Sequence, residues 1–198
     1  MHPESTELTD YLKPCTYIDF QDIAIQQKAD ELCGSLSDER EKIKAVFEFV
    51  RDDIFHSADI DSERVTRSAS EVLQYREGIC FAKSHLFAAL LRYIGIPVGL
   101  CYQRLTKDTT PDAGYVLHGL NAVYLSDENR WVRLDARGNN AQVHTPFSLT
   151  EERLPWPARK ELGETDYHII YSSPPLRIVQ AFEAYHNRKS DEFGITEL

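Results

Sequence analysis

The chain has 198 residues, which is long enough to bury a sizeable core, and we expect a single domain over residues 1–198. Its 42% hydrophobic and 27% charged content is typical of a soluble globular protein, and no apolar run reaches membrane-spanning length. The formal net charge is -10, and the lysines and arginines are scattered rather than clustered. This charge argues against a nucleic-acid partner.

Hydrophobic residues recur at helical spacing in the first part of the chain. One helix is predicted over residues 20–34, and a second over residues 37–54 with Ser37 as its cap. A short third helix starts with a capping-box sequence at Ser68 and should stop at Gly78.

The spacing changes from helical to strand-like in the middle of the chain. A fourth helix is predicted to begin at about Cys80 and to end at Gly95 and Pro97. Strand-like segments rich in β-branched and aromatic residues follow, at residues 98–105, 115–125 and 130–138. The SDEN turn (126–129) joins the last two, so they should pair antiparallel. A further strand is predicted over residues 167–173, before a last helix. Helices first and strands afterwards indicate an α+β fold.

The four cysteines show no pairing pattern typical of a metal or redox site. Cys15, Cys33, Cys80 and Cys101 form no CxxC, and the polar N-terminal residues show no signal peptide. We therefore expect free thiols in a reducing cytoplasm. Glycine-rich nucleotide loops and an EF-hand loop are also absent from the sequence, so no cofactor is expected.

Cys80 lies at a predicted helix start, in the stretch GICFAKSH. A thiol there lies at the positive end of the helix dipole, which favours its thiolate form and nucleophilic reactivity. Free cysteine is also among the most buried residue types, so inert packing is the alternative. The position of Cys80 alone leaves both interpretations open.

A nucleophilic thiol needs a base, and His118 and Asp135 are suitably placed. His118 interrupts a strand pattern, and Asp135 ends one. If Ala122 pairs with Trp131 across the turn, His118 lies opposite Asp135, whose carboxylate could then orient the imidazole. A one-residue slip would separate the two side chains. The Cys–His–Asp order favours a thiol enzyme over a core histidine and an exposed strand-end aspartate.

Other candidate residues fit a catalytic role less well. Cys101 lies inside a strand and resembles a core residue. His85 faces partly away from Cys80, and His56 more simply ends a helix. Zinc bound by the cysteine, histidine and aspartate named above would lack a clear fourth ligand.

These residues lie in segments that resemble the transglutaminase-like superfamily of papain-type thiol enzymes. The resemblance covers about residues 40–140 and is carried by SASEVLQYREGIC, FAKSHLFAALLRYIGIPV, VLHGLNAVYL and RWVRLDARGN. It implies Cys80 as nucleophile, His118 as base and acid, and Asp135 as the orienting carboxylate. It also implies a helical layer packed on an antiparallel sheet, with the nucleophile at the N-terminus of a buried helix.

The sequence departs from the usual superfamily pattern after two of these residues. Gly119–Leu120–Asn121 follows the histidine, where members commonly show an aromatic residue. Ala136–Arg137 follows the aspartate, in place of a frequent proline–threonine continuation. These departures bear on the substrate class more than on the three catalytic candidates.

Two alternative functions remain open at this stage. Arylamine N-acetyltransferases use the same three residue types, and residues 76–98 resemble their nucleophile region. However, Arg76–Glu77–Gly78 replaces their RGG-type lead, and Ala82 rather than an acidic residue follows Phe81. Transglutaminase-like domains also occur as inactive binding modules. The presence of all three catalytic residue types favours an enzyme.

The expected chemistry is acyl transfer at an amide through a thioester on Cys80. The expected partner is a peptide or protein amide, including a glutamine side chain, with water or an amine as acceptor. The Cys80 backbone N–H and either Gln74 or Tyr75 are the candidate donors to the oxyanion.

Two loops could border the candidate site. Residues 105–116 and residues 137–166, which carry Trp156 between two prolines, could form a lid or simple surface loops.

Overall fold

The computed structural model describes residues 1–107, 110–185 and 196–198. Five α-helices lie in these ranges: α1 Ile23–Cys33, α2 Glu39–Asp52, α3 Ala69–Tyr75, α4 Cys80–Tyr93 and α5 Leu176–Tyr185. The strands are β1 His2–Pro3, β2 Phe55–His56, β3 Glu77–Gly78, β4 Val98–Thr106, β5 Tyr115–Leu125, β6 Arg130–Leu134, β7 Thr165–Asp166 and β8 Ile169–Ile170. The helical first half and sheet-forming second half confirm the predicted α+β fold.

The main sheet has four antiparallel strands in the order β6-β5-β4-β7. Strands β5 and β6 form the predicted hairpin, with the SDEN residues as its turn. Helix α4 packs on one face of this sheet and contacts α1, α2 and α3 on its other sides. We call the sheet face that points away from α4 the outer face.

Helix α4 is buried around its whole circumference. All residues from Phe81 to Arg92 are buried, including Lys83, Ser84 and His85. The other helices and the sheet surround it, so its polar side chains must find partners inside the protein.

Several of the predicted helix ends are wrong, and α1 begins at Ile23, not at residue 20. Asp38, not Ser37, caps α2, because its side chain accepts the N–H of Glu41. Helix α3 starts with the predicted capping box but ends at Tyr75, before the expected stop at Gly78. Arg76 adopts a left-handed conformation with φ 59°, which turns the chain out of the helix.

Short strand pairings in the structure were not predicted. β3 pairs parallel with β2, and β1 pairs parallel with β8. The predicted strand over residues 167–173 is reduced to β8, which pairs with β1, and to an isolated bridge between Tyr171 and Leu100. The residues just before it form β7, which pairs with β4. The loop predicted over residues 105–116 is shorter than expected, since β4 and β5 take its two ends. Within that loop, residues 108–109 lie outside the described residues.

No helix in the described ranges is both long and apolar enough to span a membrane.

Candidate active site

Cys80 is the first residue of α4, as predicted, and is half-buried. The approach to this helix is tight at Gly78. A Cβ atom at Gly78 would lie 3.0 Å from Thr66 Oγ1 and 3.2 Å from the Cβ of Ala82. A glycine therefore allows the chain to pass between α3 and α4 and to begin α4 at the cysteine.

Strand β5 approaches the N-terminus of α4 closely at Gly119. The Gly119 backbone N–H donates to Cys80 Sγ, with 3.5 Å between nitrogen and sulfur. A Cβ at Gly119 would lie 2.8 Å from Phe81 Cδ1, so a larger residue would push the helix and strand apart. Two residues on, Asn121 Nδ2 donates to the Ser84 carbonyl of α4 at 3.1 Å. The Gly–Leu–Asn sequence after the histidine thus fits strand β5 closely to helix α4.

His118 and Asp135 form a buried pair. His118 Nε2 lies 2.7 Å from Asp135 Oδ2, and the two residues are 6% and 3% exposed. The other carboxylate oxygen of Asp135 accepts the Arg137 backbone N–H at 2.9 Å. Because Nε2 is taken by the carboxylate, Nδ1 is the nitrogen left to hydrogen-bond the Cys80 thiol.

The hairpin that brings this pair together has a register different from the predicted one. Trp131 pairs with Tyr124, not with Ala122, because all four SDEN residues are used in the turn. A shift of two positions keeps every side chain on its original face. His118 and Asp135 therefore still meet, on a diagonal rather than directly opposite each other.

The electrostatics of the site favour a charged imidazole. Burial opposes the charge on His118, but the negative charge and hydrogen bond of Asp135, together with the hydrogen bond to Cys80, outweigh it. They raise the pKa of His118 to about 10. The imidazolium form is therefore stabilised beside the thiol at neutral pH.

Trp156 covers the histidine on the outer face of the sheet. Its ring meets the His118 ring edge to face, with 5.0 Å between centroids. The Arg137 guanidinium lies 5.8 Å from the Trp156 ring centroid. The sequence placed Trp156 in the loop over residues 137–166 but did not indicate that its ring contacts His118. Its position between two prolines was the one feature of the sequence that set this tryptophan apart.

The segment that carries Trp156 is fastened to the sheet by polar contacts. Gln103 Nε2 donates to the Trp156 carbonyl at 3.0 Å and to Asp166 Oδ1 at 2.8 Å. Arg133, also on the outer face, bonds Glu152 through two nitrogens at 2.6 and 2.7 Å and Asp166 at 2.6 Å. We call Arg133, Glu152 and Asp166 the outer clamp. It holds residues 152–166 against the strands that present the histidine.

The proposed oxyanion residues lie at the exposed end of α3. Gln74 and Tyr75 are both exposed, and the Tyr75 ring stacks under the Arg64 guanidinium at 3.9 Å. Their role toward the oxyanion remains a prediction. The Cys80 backbone N–H lies in the first turn of α4, where amide groups have no partner within the helix.

The less-favoured candidates are buried or partly buried. Burial raises the pKa of Cys101 to about 12, which makes that thiol inert at neutral pH. His85 bonds the Arg67 carbonyl through Nδ1, and burial lowers its pKa to about 4. Burial also lowers the pKa of His56 to about 3, with the charge of nearby Arg137 acting in the same direction. Within the described ranges, no three or more His, Cys, Asp or Glu residues could together hold a metal ion.

The chain was compared with known protein families and solved structures. Residues 26–136 match the family model of the transglutaminase-like superfamily. A candidate cysteine protease from Cytophaga hutchinsonii has a TM-score of 0.54 and 20% identity, over 67% of this chain and 43% of its own. The periplasmic domain of TgpA from Pseudomonas aeruginosa has a TM-score of 0.49 and 17% identity, over 67% of this chain and 48% of its own.

This chain spans less than half the length of either of those two proteins. A search of curated proteins found no significant match. The match to the family model covers more than half of the chain and includes Cys80, His118 and Asp135. The chain therefore belongs to the transglutaminase-like superfamily.

Proposed function

We propose that the protein is a thiol enzyme that transfers or hydrolyses the acyl group of an amide through a thioester on Cys80. One observation carries the proposal. The half-buried thiol at the start of a buried helix lies against the Gly119 amide and hydrogen-bonds a histidine that Asp135 orients. A nucleophile, a base and an orienting group within hydrogen-bond reach are the arrangement that nucleophilic catalysis requires.

In the first half of the reaction, the Cys80 thiolate attacks the amide carbonyl carbon. A carbon–sulfur bond forms, and the electron pair of the carbonyl moves to its oxygen. The backbone N–H of Cys80 is placed to bond that oxyanion, with Gln74 or Tyr75 as the second donor. When the tetrahedral intermediate collapses, the carbon–nitrogen bond breaks and His118 gives its Nδ1 proton to the leaving amine.

In the second half, water or a primary amine attacks the thioester. His118, now neutral, takes a proton from the attacking molecule, and Cys80 leaves as the thiolate. Asp135 keeps the imidazole in one orientation through both steps. The substrate class is a peptide amide or a glutamine side chain, and the acidic surface favours a neutral or basic one.

The first experiment measures thiol reactivity residue by residue. We expect Cys80 to react with iodoacetamide at about pH 6 roughly 100-fold faster than Cys15, since an ordinary thiol is then mostly protonated. Mass spectrometry of the digested protein reads out all four cysteines in one sample, so buried Cys33 and Cys101 serve as internal controls. The same slow rate at all four residues would contradict the proposal.

The second experiment tests the chemistry itself. The protein is incubated with a glutamine-containing peptide, with and without a primary amine, and ammonia and peptide products are measured. We expect ammonia release that disappears in Cys80→Ala and persists in the matched control Cys15→Ala. Amine incorporation indicates transfer, and release without incorporation indicates hydrolysis. Activity retained in Cys80→Ala would rule out the thioester mechanism.

A further inference from the structure

Lys83 is a buried amine directly behind the candidate active site. It lies one turn after Cys80 on the nucleophile helix and is 1% exposed. Its Nζ donates a hydrogen bond to the backbone carbonyl of Ile54. In the described part of the chain, no carboxylate lies within ion-pairing distance of this amine. The sequence shows this lysine within the apolar run FAKSHLFAALL, which could have indicated a buried amine.

The turn that follows Asp135 lies against this amine. Gly138 has φ 117°, a conformation that favours glycine, and a Cβ there would lie 3.3 Å from Lys83 Nζ. The same Cβ would lie 3.1 Å from the Arg51 carbonyl at the end of α2. Lys83 thus lies between the carbonyl that precedes β2 and the turn that carries the aspartate.

The charged groups around the amine are mixed in sign. Asp135 favours the charged amine, whereas the guanidinium of Arg137 opposes it. Two further carboxylates favour the charged amine: Asp52 at the end of α2 and Asp59 in the short 3-10 helix after β2. The His56 imidazole in β2 also interacts with it.

A buried amine with so few partners has an energetic cost. Removing an ammonium group from water is unfavourable, and a well-packed neutral residue of similar volume is often at least as stable. Stability therefore gives little reason for a lysine here. Lys83 contacts two segments. One is the residue before β2, the strand that pairs with β3, and the other is the turn after Asp135, the carboxylate that bonds His118.

We propose that Lys83 is a positioning residue that fixes the Asp135 turn and so holds the carboxylate in place behind His118. The inference rests on the proposed function for its catalytic meaning. The effect of Lys83 on the position of Asp135 can be tested independently of that function, because the His118 pKa can be measured without any substrate.

The test uses Lys83→Met in the full chain, with Lys44→Met as the matched control. Lys44 is an exposed lysine that pairs with Glu48 on α2. The readouts are thermal unfolding, the His118 pKa from NMR titration, and the kcat and KM of the amide reaction. Methionine keeps the length and the apolar stem of the lysine, so we expect the variant to fold, with a Tm within about 4 °C of the native protein.

If Lys83 positions Asp135, the carboxylate moves when the amine is removed. The His118 pKa then falls toward its ordinary value, and kcat drops about 10-fold or more with little change in KM. An unchanged His118 pKa would overturn the proposal. A raised pKa would also overturn it, because the lysine would then oppose the imidazolium and not hold the carboxylate beside it.

A second variant keeps the test decisive if Lys83→Met fails to fold. Lys83→Arg retains the charge and a donor, and we expect it to keep the His118 pKa closer to native than the methionine does. An arginine variant that folds normally and loses the raised pKa would count against positioning by the amine. If the native protein shows a raised His118 pKa but no fast Cys80 and no amide turnover, the proposed function fails while the positioning result stands.

Discussion

The two sides of the candidate site are held by different forces. On the inner side, Cys80 is placed by a helix buried on every face and by the close approach of Gly119 to Phe81. On the outer side, Trp156 is held over His118 by a segment that the outer clamp fastens to the sheet. Apolar packing is short-ranged and intolerant of added volume, whereas partly exposed ion pairs are weak and replaceable. The inner side should therefore be the more sensitive to substitution.

The largest effect is expected from Gly119→Ala. The new methyl group would overlap Phe81 and push strand β5 away from the N-terminus of α4. We expect the rate of Cys80 alkylation at about pH 6 to fall roughly 100-fold, toward that of an ordinary thiol. Residue-resolved mass spectrometry measures this rate.

Leu120→Ala is the matched control for Gly119→Ala. Leu120 is buried on the outer face, so its truncation should cost about 2–5 kcal/mol of stability without separating helix and strand. Fast alkylation should survive in folded Leu120→Ala. If both variants lost it equally, general destabilisation and not the Gly119 contact would explain the effect.

Trp156→Ala should have an intermediate effect. Without the ring, water reaches the His118–Asp135 pair and weakens both the burial that opposes the charge and the Asp135 attraction that favours it. Because the attraction outweighs the burial, the His118 pKa falls from about 10 toward its ordinary value. We expect roughly a 10-fold loss in kcat, with Trp156→Phe recovering most of it. An NMR titration of His118 follows the pKa directly. A pKa that stayed near 10 in Trp156→Ala would show that the ring does not shield the pair.

Breaking the outer clamp should have a smaller effect on activity. Arg133→Met removes the buried guanidinium, while Glu152 and Asp166 are both partly exposed to water. We expect a loss of about 1–2 kcal/mol in the free energy of unfolding. Hydrogen exchange should become faster over residues 152–166 and stay slow in α4.

Arg153→Met is the control for the clamp, because Arg153 pairs with Glu151 at the surface. It should change stability by less than about 0.5 kcal/mol. Faster exchange in α4 of Arg133→Met would show that the two sides of the site are not independent.

The smallest effect concerns stability against pH. The pKa of His118 is raised from its ordinary 6.5 to about 10, so its stabilising charge is complete below about pH 6.5 and is lost as pH rises through about 10. Burial lowers the pKa of Lys83 from 10.5 to about 7. Its destabilisation is complete below about pH 7 and disappears as pH rises toward 10.5.

These two slopes oppose each other between about pH 7 and 10. We therefore expect the summed contribution of His118 and Lys83 to the free energy of unfolding, measured with denaturant, to stay nearly constant across that pH range. His118→Ala leaves the lysine contribution alone, so its stability should rise with pH there. A flat profile in His118→Ala would contradict the assignment of the two slopes.

The parts of the site that follow from local rules could be predicted from the sequence. The capping box at Ser68, the helix start at Cys80 and the α+β order are confirmed, because each depends on neighbouring residues. The His118–Asp135 contact appeared despite a wrong register, since the error was an even number of positions and side chains alternate with a period of two.

The missed parts depend on contacts between segments far apart in the chain. Arg133 meets Glu152, and Lys83 meets Ile54, without any spacing pattern that indicates either contact. Strands β1 and β8 have two residues each, too few for alternation to be visible. The αL conformation of Arg76 also could not be predicted, because non-glycine residues adopt it only rarely.

The chain positions of the three catalytic candidates have a consequence for how reactivity arises during folding. His118 and Asp135 are 17 residues apart on one hairpin, a local unit that can form early. Cys80 joins them only when α4 docks on β5, which requires the helical layer to be assembled. An incompletely folded molecule thus carries an ordinary thiol. If Cys80 is the nucleophile proposed above, the protein acquires its most reactive group as folding is completed, and the reactivity of Cys80 can serve as a probe of that last docking step.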